Sequence, residues 1–236
     1  MTPRRLGVLG GMGPLATADF MRKVIAATPA ERDQDHIPMI VYSVPQIADR
    51  SAAILADGES PLPAIVDGIR LLERAGAAAI AIPCNTAHHW YEDLVKASRV
   101  PIIHIVDAAA RALDARRIAT KRLGILGTTG TIASRVYQNR LEALGYACVA
   151  PTAADMERLV MKGIGEVKAG RLAEAKTLLT AAADRLFAQD IGAVILGCTE
   201  IPLVLDDPAR YVDATDALAR AAVSWAMTEE RLARAV

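Results

Sequence analysis

Two cysteines stand at the ends of similar apolar segments, and that position suggests chemistry. Cys84 ends the apolar part of AAAIAIPCNTAHHW, residues 77–90, and Cys198 ends that of IGAVILGCTEIPLV, residues 191–204. Short side chains able to donate or accept hydrogen bonds follow the two thiols, namely Asn85 and Thr86, then Thr199 and Glu200. Apolar segments of this length are typical of buried strands. The sequence therefore predicts a thiol at the tip of each of two strands.

Such a pair of thiols can transfer protons at carbon. A thiol titrates near about 8.5, and its surroundings shift that value. If Cys84 and Cys198 approach one ligand from opposite sides, one thiolate can remove a proton while the opposite thiol supplies one. That arrangement inverts a stereocentre without a cofactor, whereas a single base tends to return the proton to the face it left.

Other interpretations of the cysteines stay open. A single buried cysteine is usually a small apolar core residue, and Cys148 in GYACVA is interpreted in that way. A disulfide between Cys84 and Cys198 is one alternative, and zinc is another because His88 and His89 follow Cys84 closely. The chain has no CxxC and no second histidine pair, which a zinc site of this kind would need. These histidines are therefore expected on a helix surface or at a dimer contact.

Candidate groups for an anionic ligand occur near the same strand ends. The glycine-rich turns at residues 10–14 and 127–131 precede predicted helices, and backbone N–H groups at such turns suit a carboxylate. Arg50 in PQIADRSAAIL follows the second strand and can bind a carboxylate through two hydrogen bonds. Lys168 in GEVKAGR lies where a turn can return it to the site. Solvated surface charges are the alternative for Arg50 and Lys168.

The first glycine turn also matches GxGxxA, a pattern found in dinucleotide-binding proteins. No acid that could bind a ribose follows the second strand, and Pro14 occupies a place where the backbone would approach a pyrophosphate. Dinucleotide binding is therefore retained only as an alternative.

The elements that must position these residues alternate along the first half. Strands are predicted in LGVL (6–9), IPMIVYSV (37–44), AAAIAIP (77–83) and VPIIHIV (100–106). Helices are predicted in PLATADFMRKVIAAT (14–28), SPLPAIVDGIRLLERAG (60–76), HHWYEDLVKAS (88–98) and DAAARALDARR (107–117). Continuous apolar strands alternating with amphipathic helices predict an α/β fold with a parallel sheet covered on both faces.

The pattern then begins again. KRLGILGTTG repeats the layout of RRLGVLGGMG, and RYVDATDALARAAVSW repeats that of IIHIVDAAARALDARR. Gly10 precedes Cys84 by 74 residues, and Gly127 precedes Cys198 by 71. The repeat predicts two similar, pseudo-symmetric α/β domains that divide near residues 100–118. Ligands bind beyond the carboxyl ends of parallel strands, so both thiols are expected to face one interdomain cleft.

Composition excludes several other classes of protein. The chain has 236 residues, of which 53% are hydrophobic, with 27 basic and 27 acidic side chains. This balance argues against nucleic-acid binding, and no segment has the roughly 20 apolar residues of a membrane span. The N-terminal apolar run is too short for a secretory signal, and three cysteines do not make a disulfide framework. A cytoplasmic protein with reduced thiols is predicted.

Seven short stretches, taken in order and with their spacing, resemble the aspartate/glutamate racemase family, and its aspartate racemase branch most closely. The stretches are GVLGGMGPLAT, PQIADRSAAIL, PCNTAHHW, LGILGTTGTI, VKAGR, ILGCTEIPLVL and VDAT. The resemblance implies a homodimeric racemase that needs neither pyridoxal phosphate nor metal and uses Cys84 and Cys198 as opposed acid and base. It further implies that Arg50 and Lys168 hold the substrate carboxylate.

The resemblance also implies further substrate contacts and a domain division. The implied contacts are Met12, Gly13, Asn85, Thr86, Thr128, Thr129 and Thr199, with Glu200 beside them. The C-terminal segment is expected to pack back on the first domain, which gives residues 1–103 plus 211–236 and residues 104–210. The arginine motif departs from the common PQIPDRT at Ala48 and Ser51, which weakens the case for aspartate as the substrate but not for the reaction.

Aspartate racemisation is therefore the leading hypothesis. Racemisation of glutamate or a hydantoin, isomerisation or decarboxylation of a related diacid, and dicarboxylate binding without chemistry remain alternatives. The presence of both thiols favours exchange on both faces of the substrate, and Arg50 favours a dicarboxylate.

Overall fold

The computed structural model describes residues 3–56, 58–116, 118 and 120–228, and its strands form two parallel sheets. The first sheet has the order β2-β1-β3-β4, from β1 (Leu6–Gly10), β2 (Met39–Ser43), β3 (Ala79–Ala81) and β4 (Ile102–Ile103). The second has the order β6-β5-β7-β8, from β5 (Arg122–Gly127), β6 (Ala147–Val149), β7 (Ala193–Gly197) and β8 (Tyr211–Asp213). The two orders are the same, as the sequence repeat predicts.

Helices connect the strands in both halves. The first half contains α1 (Pro14–Ala27), α2 (Arg50–Leu55), α3 (Leu62–Arg74), α4 (Tyr91–Ala97) and α5 (Ile105–Asp114). The second contains α6 (Thr129–Ala133), α7 (Val136–Glu142), α8 (Ala153–Asp155), α9 (Lys162–Lys168), α10 (Leu172–Phe187) and α11 (Ala214–Met227). Short turns of 3-10 helix lie at Asp33–Asp35, Thr86–Trp90 and Ile201–Leu203, and a π-helical segment spans Met156–Met161. The predicted α/β class with two similar halves is thus confirmed.

One predicted boundary is wrong. The strand predicted over residues 100–106 is limited to β4, and the following helix begins at Ile105 rather than at Asp107. The physical reason is a side-chain cap, because Nδ1 of His104 accepts a hydrogen bond from the Val106 N–H at 3.1 Å. Capping satisfies an amide that the first turn of a helix leaves unpaired, so the helix starts two residues earlier.

The two halves share a hydrophobic core and exchange their last helices. α11 packs against α1 of the first half and against α5, while α5 in turn packs against α7 and β8. Buried side chains from both sheets and from helices meet in this shared core, among them Val8 and Ile125 from strands and Phe20 and Leu218 from helices. Two further cores belong to one half each. The halves are therefore held together by apolar contacts that neither forms alone.

The predicted domain division stays a prediction, and the pairing of β8 bears on it. The division assigned residues 211–236 to the first domain, yet β8 pairs with β7 in the second sheet. α11, which follows directly, packs on α1 of the first half. The chain thus passes from one half to the other between β8 and α11.

The first glycine turn has a backbone that only glycine adopts easily. Gly11 has φ +94°, and a Cβ at this position would lie 2.3 Å from the Val44 backbone nitrogen. This close approach brings the turn after β1 against the end of β2. Over the described part of the chain, the helices are too short or too polar for a bilayer span.

Candidate active site

The carboxyl ends of the two sheets border one small cavity between the halves. Its volume is about 80 Å³, well below the roughly 300–1,000 Å³ of a drug-sized ligand site. Ten of the twelve predicted site residues line it, namely Met12, Arg50, Cys84, Asn85, Thr86, Thr128, Lys168, Cys198, Thr199 and Glu200. Residues far apart in sequence meet here because parallel strands present all their carboxyl ends at one edge.

Both predicted thiols face this cavity. Cys84 follows β3 and Cys198 follows β7, and each residue is 5% exposed. The three cysteines of the chain are free thiols, and half-buried Cys148 packs against the shared core and is not among the residues that line the cavity. The repeat therefore places Cys84 and Cys198, but not Cys148, on one enclosed space.

A buried carboxylate lies beside Cys198 and affects its pKa. Its thiol donates to Oε2 of Glu200 at 2.9 Å, and Glu200 itself is 3% exposed. Burial and the Glu200 charge raise the pKa of Cys198 well above its ordinary value. A negative charge beside a thiol opposes formation of the thiolate, so this thiol is held in its protonated form.

The residues that follow Cys84 are bonded to the second half. The Tyr137 hydroxyl on α7 donates to Oδ1 of Asn85 at 2.6 Å. The Thr86 hydroxyl lies 3.0 Å from that of Thr128 and 2.8 Å from that of Thr131. These bonds fix the first thiol's loop against the turn that precedes α6.

Arg50 begins α2 at the cavity, and its own loop already holds part of its guanidinium. One terminal nitrogen donates to the carbonyls of Ile47 and Ala48 at 3.1 and 3.0 Å. The helix packs closely on α6, since a Cβ at Gly130 would lie 2.7 Å from the Ser51 hydroxyl. Among the described residues, the other N–H groups of Arg50 make no hydrogen bond.

Lys168 reaches the cavity from the end of α9, together with two residues before it that the sequence motifs did not predict. Met161 and Ile164 also line the cavity. They precede Lys168 by seven and four residues, a spacing that places all three on one helical face. Asp49 and Ser51 were missed as well, although they flank Arg50 in the quoted motif.

Two predicted residues lie outside the lining. Gly13 borders a neighbouring cavity, and a Cβ there would lie 3.0 Å from Oε1 of Glu200. Thr129 begins α6, and its amide donates to the Met161 sulfur at 3.4 Å. The Gly11 amide likewise donates to the Thr17 hydroxyl at 2.9 Å. These turn amides therefore already have partners within the protein.

The interpretation of His88 as a surface residue is wrong. Its side chain is buried, with the residue 3% exposed, whereas His89 is exposed. His88 lies edge-on to His104, with ring centroids 4.8 Å apart. Within the described residues, no group of three or more His, Cys, Asp or Glu side chains is placed to hold a metal ion.

Three buried polar atoms of cavity residues have no hydrogen-bond partner among the described residues. They are Nε of Arg50, Nδ2 of Asn85 and Oε1 of Glu200. A buried polar atom without a partner is costly. Two are donors and one is a carboxylate acceptor, which together complement a carboxylate and an ammonium on one small ligand.

The fold and cavity define a class: a two-domain α/β protein with a pair of thiols in an interdomain cleft. The model of the Asp/Glu/Hydantoin racemase family matches residues 9–222. The chain belongs to this family.

Individual relatives agree with that assignment. The chain is 32% identical over 228 residues to the broad specificity amino-acid racemase RacX of Bacillus subtilis, covering 93% of this chain and 96% of that protein. The aspartate racemase of Picrophilus torridus superposes with a TM-score of 0.84 at 31% identity, covering 94% of each chain. An aspartate racemase homologue from Pyrococcus horikoshii gives a TM-score of 0.76 at 26% identity, covering 95% of this chain and 100% of that one.

Proposed function

We propose that this protein is a cofactor-independent amino-acid racemase that interconverts L- and D-aspartate by proton transfer between Cys84 and Cys198. The observation that carries the proposal is the shared cavity, in which two thiols stand beside the unpaired atoms of Arg50, Asn85 and Glu200. An α-amino acid supplies one carboxylate and one ammonium on the carbon that loses its proton. Those groups match the two donors and the acceptor.

The substrate is oriented by charge. The free N–H groups of Arg50 bind a carboxylate, with Lys168 adding positive charge at the same wall. The Asn85 amide donates to a carboxylate oxygen, and Glu200 Oε1 accepts from the α-ammonium. Positive charge and N–H donors near the α-carboxylate stabilise the negative charge that develops when the α-proton leaves.

The reaction then needs one thiolate and one thiol. The thiolate removes the α-proton, and the opposite thiol donates its proton to the other face of the same carbon. When Cys198 must act as the base, the adjacent Glu200 carboxylate can take the thiol proton. Each transfer contributes roughly 10²–10⁴-fold, and orientation and charge stabilisation supply the rest. The two thiols exchange roles with the hand of the substrate.

A wider substrate range is the second candidate. A cavity of about 460 Å³ adjoins the first and shares Arg50, Lys168 and Glu200 with it. Its wall includes the apolar residues Leu15 and Ile47. Such a space can take a side chain longer than that of aspartate, and the broad specificity named for the Bacillus subtilis relative agrees with it.

The test is α-proton exchange in deuterated water with a panel of D- and L-amino acids, followed by mass spectrometry. Rapid deuterium incorporation with both hands of aspartate is expected, while exchange across many side chains would favour the second candidate. Binding of aspartate without any deuterium incorporation would contradict racemisation and support a binding protein. Glutamate must be included, because one methylene is worth only about 1–3 kcal/mol in a pocket.

A homodimer in the cytoplasm is part of the same proposal. The family supports the homodimer, and the free thiols support the cytoplasmic location. Sedimentation at several concentrations tests the assembly, and fractionation of the native cells tests the location.

A further inference from the structure

Each half has a thiol-bearing loop, which follows β3 and carries Cys84 in the first half and follows β7 and carries Cys198 in the second. His88 is buried against the loop of the first half but does not line the cavity. It lies four residues beyond Cys84, in the 3-10 turn Thr86–Trp90. The repeat-related position beyond Cys198 is Pro202. The second half therefore has no side chain that could play the same part.

Both nitrogens of the His88 ring are bonded to backbone. Nδ1 lies 2.9 Å from the carbonyl oxygen of Cys84, and Nε2 accepts from the Ile105 N–H at 3.3 Å. Since Nε2 accepts, the ring proton is on Nδ1 and is donated to Cys84. The ring thus links the Cys84 backbone to the first turn of α5.

The two thiols are anchored in different ways. Cys198 directly follows β7, and its carbonyl accepts from the Ile201 N–H at 3.1 Å. Cys84 lies beyond the last paired residue of β3, where the sheet no longer fixes the backbone. The imidazole of His88 instead connects the Cys84 carbonyl to the first residue of α5, a helix that packs on the second half.

We infer that His88 is a positioning residue for Cys84: its neutral ring holds the Cys84 carbonyl against α5 and so sets where the thiol meets the substrate. This role rests on the proposed function of Cys84. A displacement of about 1 Å in a catalytic group can cost roughly 10²-fold in rate. Loss of the bond to Cys84 should therefore lower kcat while leaving KM nearly unchanged.

The test compares His88→Leu, which removes both ring bonds, with His88→Asn, whose amide nitrogen takes the place of Nδ1. His89→Leu is the matched control, because His89 is adjacent and exposed. His88→Leu should lower kcat/KM roughly 10–100-fold. His88→Asn should recover much of that loss, and His89→Leu should resemble the wild type.

Isotope effects distinguish positioning from general damage to the fold. The two enantiomers are equally stable, so kcat/KM must fall equally in both directions. With α-deuterated L- and D-aspartate, His88→Leu should raise the isotope effect for the hand whose proton Cys84 removes. The larger isotope effect should occur with the same enantiomer as in Cys84→Ser and with the opposite enantiomer from Cys198→Ser. Equal isotope effects for the two hands, unchanged from the wild type, would overturn the inference.

A second measurement does not depend on activity. Alkylation by iodoacetamide, read on the peptides that contain each cysteine, should become several-fold faster at Cys84 in His88→Leu. It should be unchanged at Cys198, and His88→Asn should restore the wild-type rate at Cys84. If Cys84 in His88→Leu is alkylated at the wild-type rate, the positioning role of His88 is overturned. If the wild type exchanges no amino acid, the proposed function fails, while labelling still decides the role of His88.

Discussion

The two thiol-bearing loops occupy equivalent places in sheets of the same order, yet their surroundings differ. Cys84 is followed by neutral groups, and these are bonded to the second half through Tyr137 and the threonine hydroxyls. Cys198 donates directly to the buried carboxylate of Glu200. The repeat thus sets where each thiol lies, whereas the neighbouring residues decide whether a carboxylate lies beside it.

In the proposed reaction, this difference means that the two thiols start from different environments. Burial and Glu200 raise the pKa of Cys198, so this thiol is protonated and ready to donate. The first loop carries no acidic residue within hydrogen-bonding distance of its thiol among the described residues, and it is held by hydrogen bonds that cross the interface. The two halves therefore share a fold but do not give their thiols the same surroundings.

The strongest test of the comparison removes each thiol in turn. Cys84→Ala and Cys198→Ala should each lower racemisation by at least about 10³-fold, because each removes one of the two proton-transfer groups. Loss of optical rotation from L- and D-aspartate measures the effect, with Cys148→Ala as the control. Full racemisation in either site variant would sink the two-base model.

The next test concerns the charge beside Cys198. Glu200→Gln should lower kcat/KM by about 10²-fold and move the alkaline limb of its pH profile to lower pH. The sign follows because the carboxylate raises the pKa of Cys198, and a neutral amide removes that effect. Glu157→Gln, at an exposed position, is the control. An alkaline limb that stays in place would show that Glu200 does not tune the thiol.

A third test uses the buried histidines behind the first loop. Burial lowers the pKa of His88 to about 4 and, with a smaller effect from His88, that of His104 to about 2. In the unfolded chain the value is about 6.5, so the unfolded state binds protons more readily below that pH. Each histidine should thus lower the free energy of unfolding by about 2 kcal/mol between pH 7 and 5.

His104→Asn isolates this contribution, because asparagine keeps a cap for the Val106 amide but does not titrate. Urea unfolding at pH 7 and pH 5 should show a difference about 2 kcal/mol smaller than in the wild type. His89→Asn should keep the wild-type difference, since that side chain is exposed. If the free energy of unfolding changes equally between pH 7 and pH 5 in His104→Asn and in the wild type, burial does not lower the pKa of His104 as stated.

The smallest expected effect concerns the bond across the interface. Tyr137→Phe removes the donor to Asn85 Oδ1 and should cost about 1 kcal/mol of unfolding free energy. Because Asn85 is proposed to bind the substrate, KM should rise several-fold while kcat changes less. Thermal melts and steady-state kinetics measure the two parts. A change in kcat alone would argue that Tyr137 acts on the thiol rather than on substrate binding.

Much of the fold was predictable from local patterns. Buried parallel strands are continuous apolar segments, so β1, β3, β5 and β7 were all expected near their observed places. The strand predicted over residues 100–106 was too long, because its last two residues begin the helix α5, which His104 caps. Lys168 was expected at the cavity, but Met161 and Ile164 were not, since their place depends on how the π-helical segment and α9 pack on the second sheet.

The sequence by itself determined that two strand-end thiols would face one cleft. A repeated strand, turn and helix pattern imposes equivalent positions, and parallel sheets gather ligand residues at one edge. Only the tertiary structure decided that His88 is buried behind Cys84 and that the unpaired atoms of Arg50, Asn85 and Glu200 converge. Burial and unsatisfied hydrogen bonds arise from contacts between distant segments, and no local pattern of residues encodes those contacts.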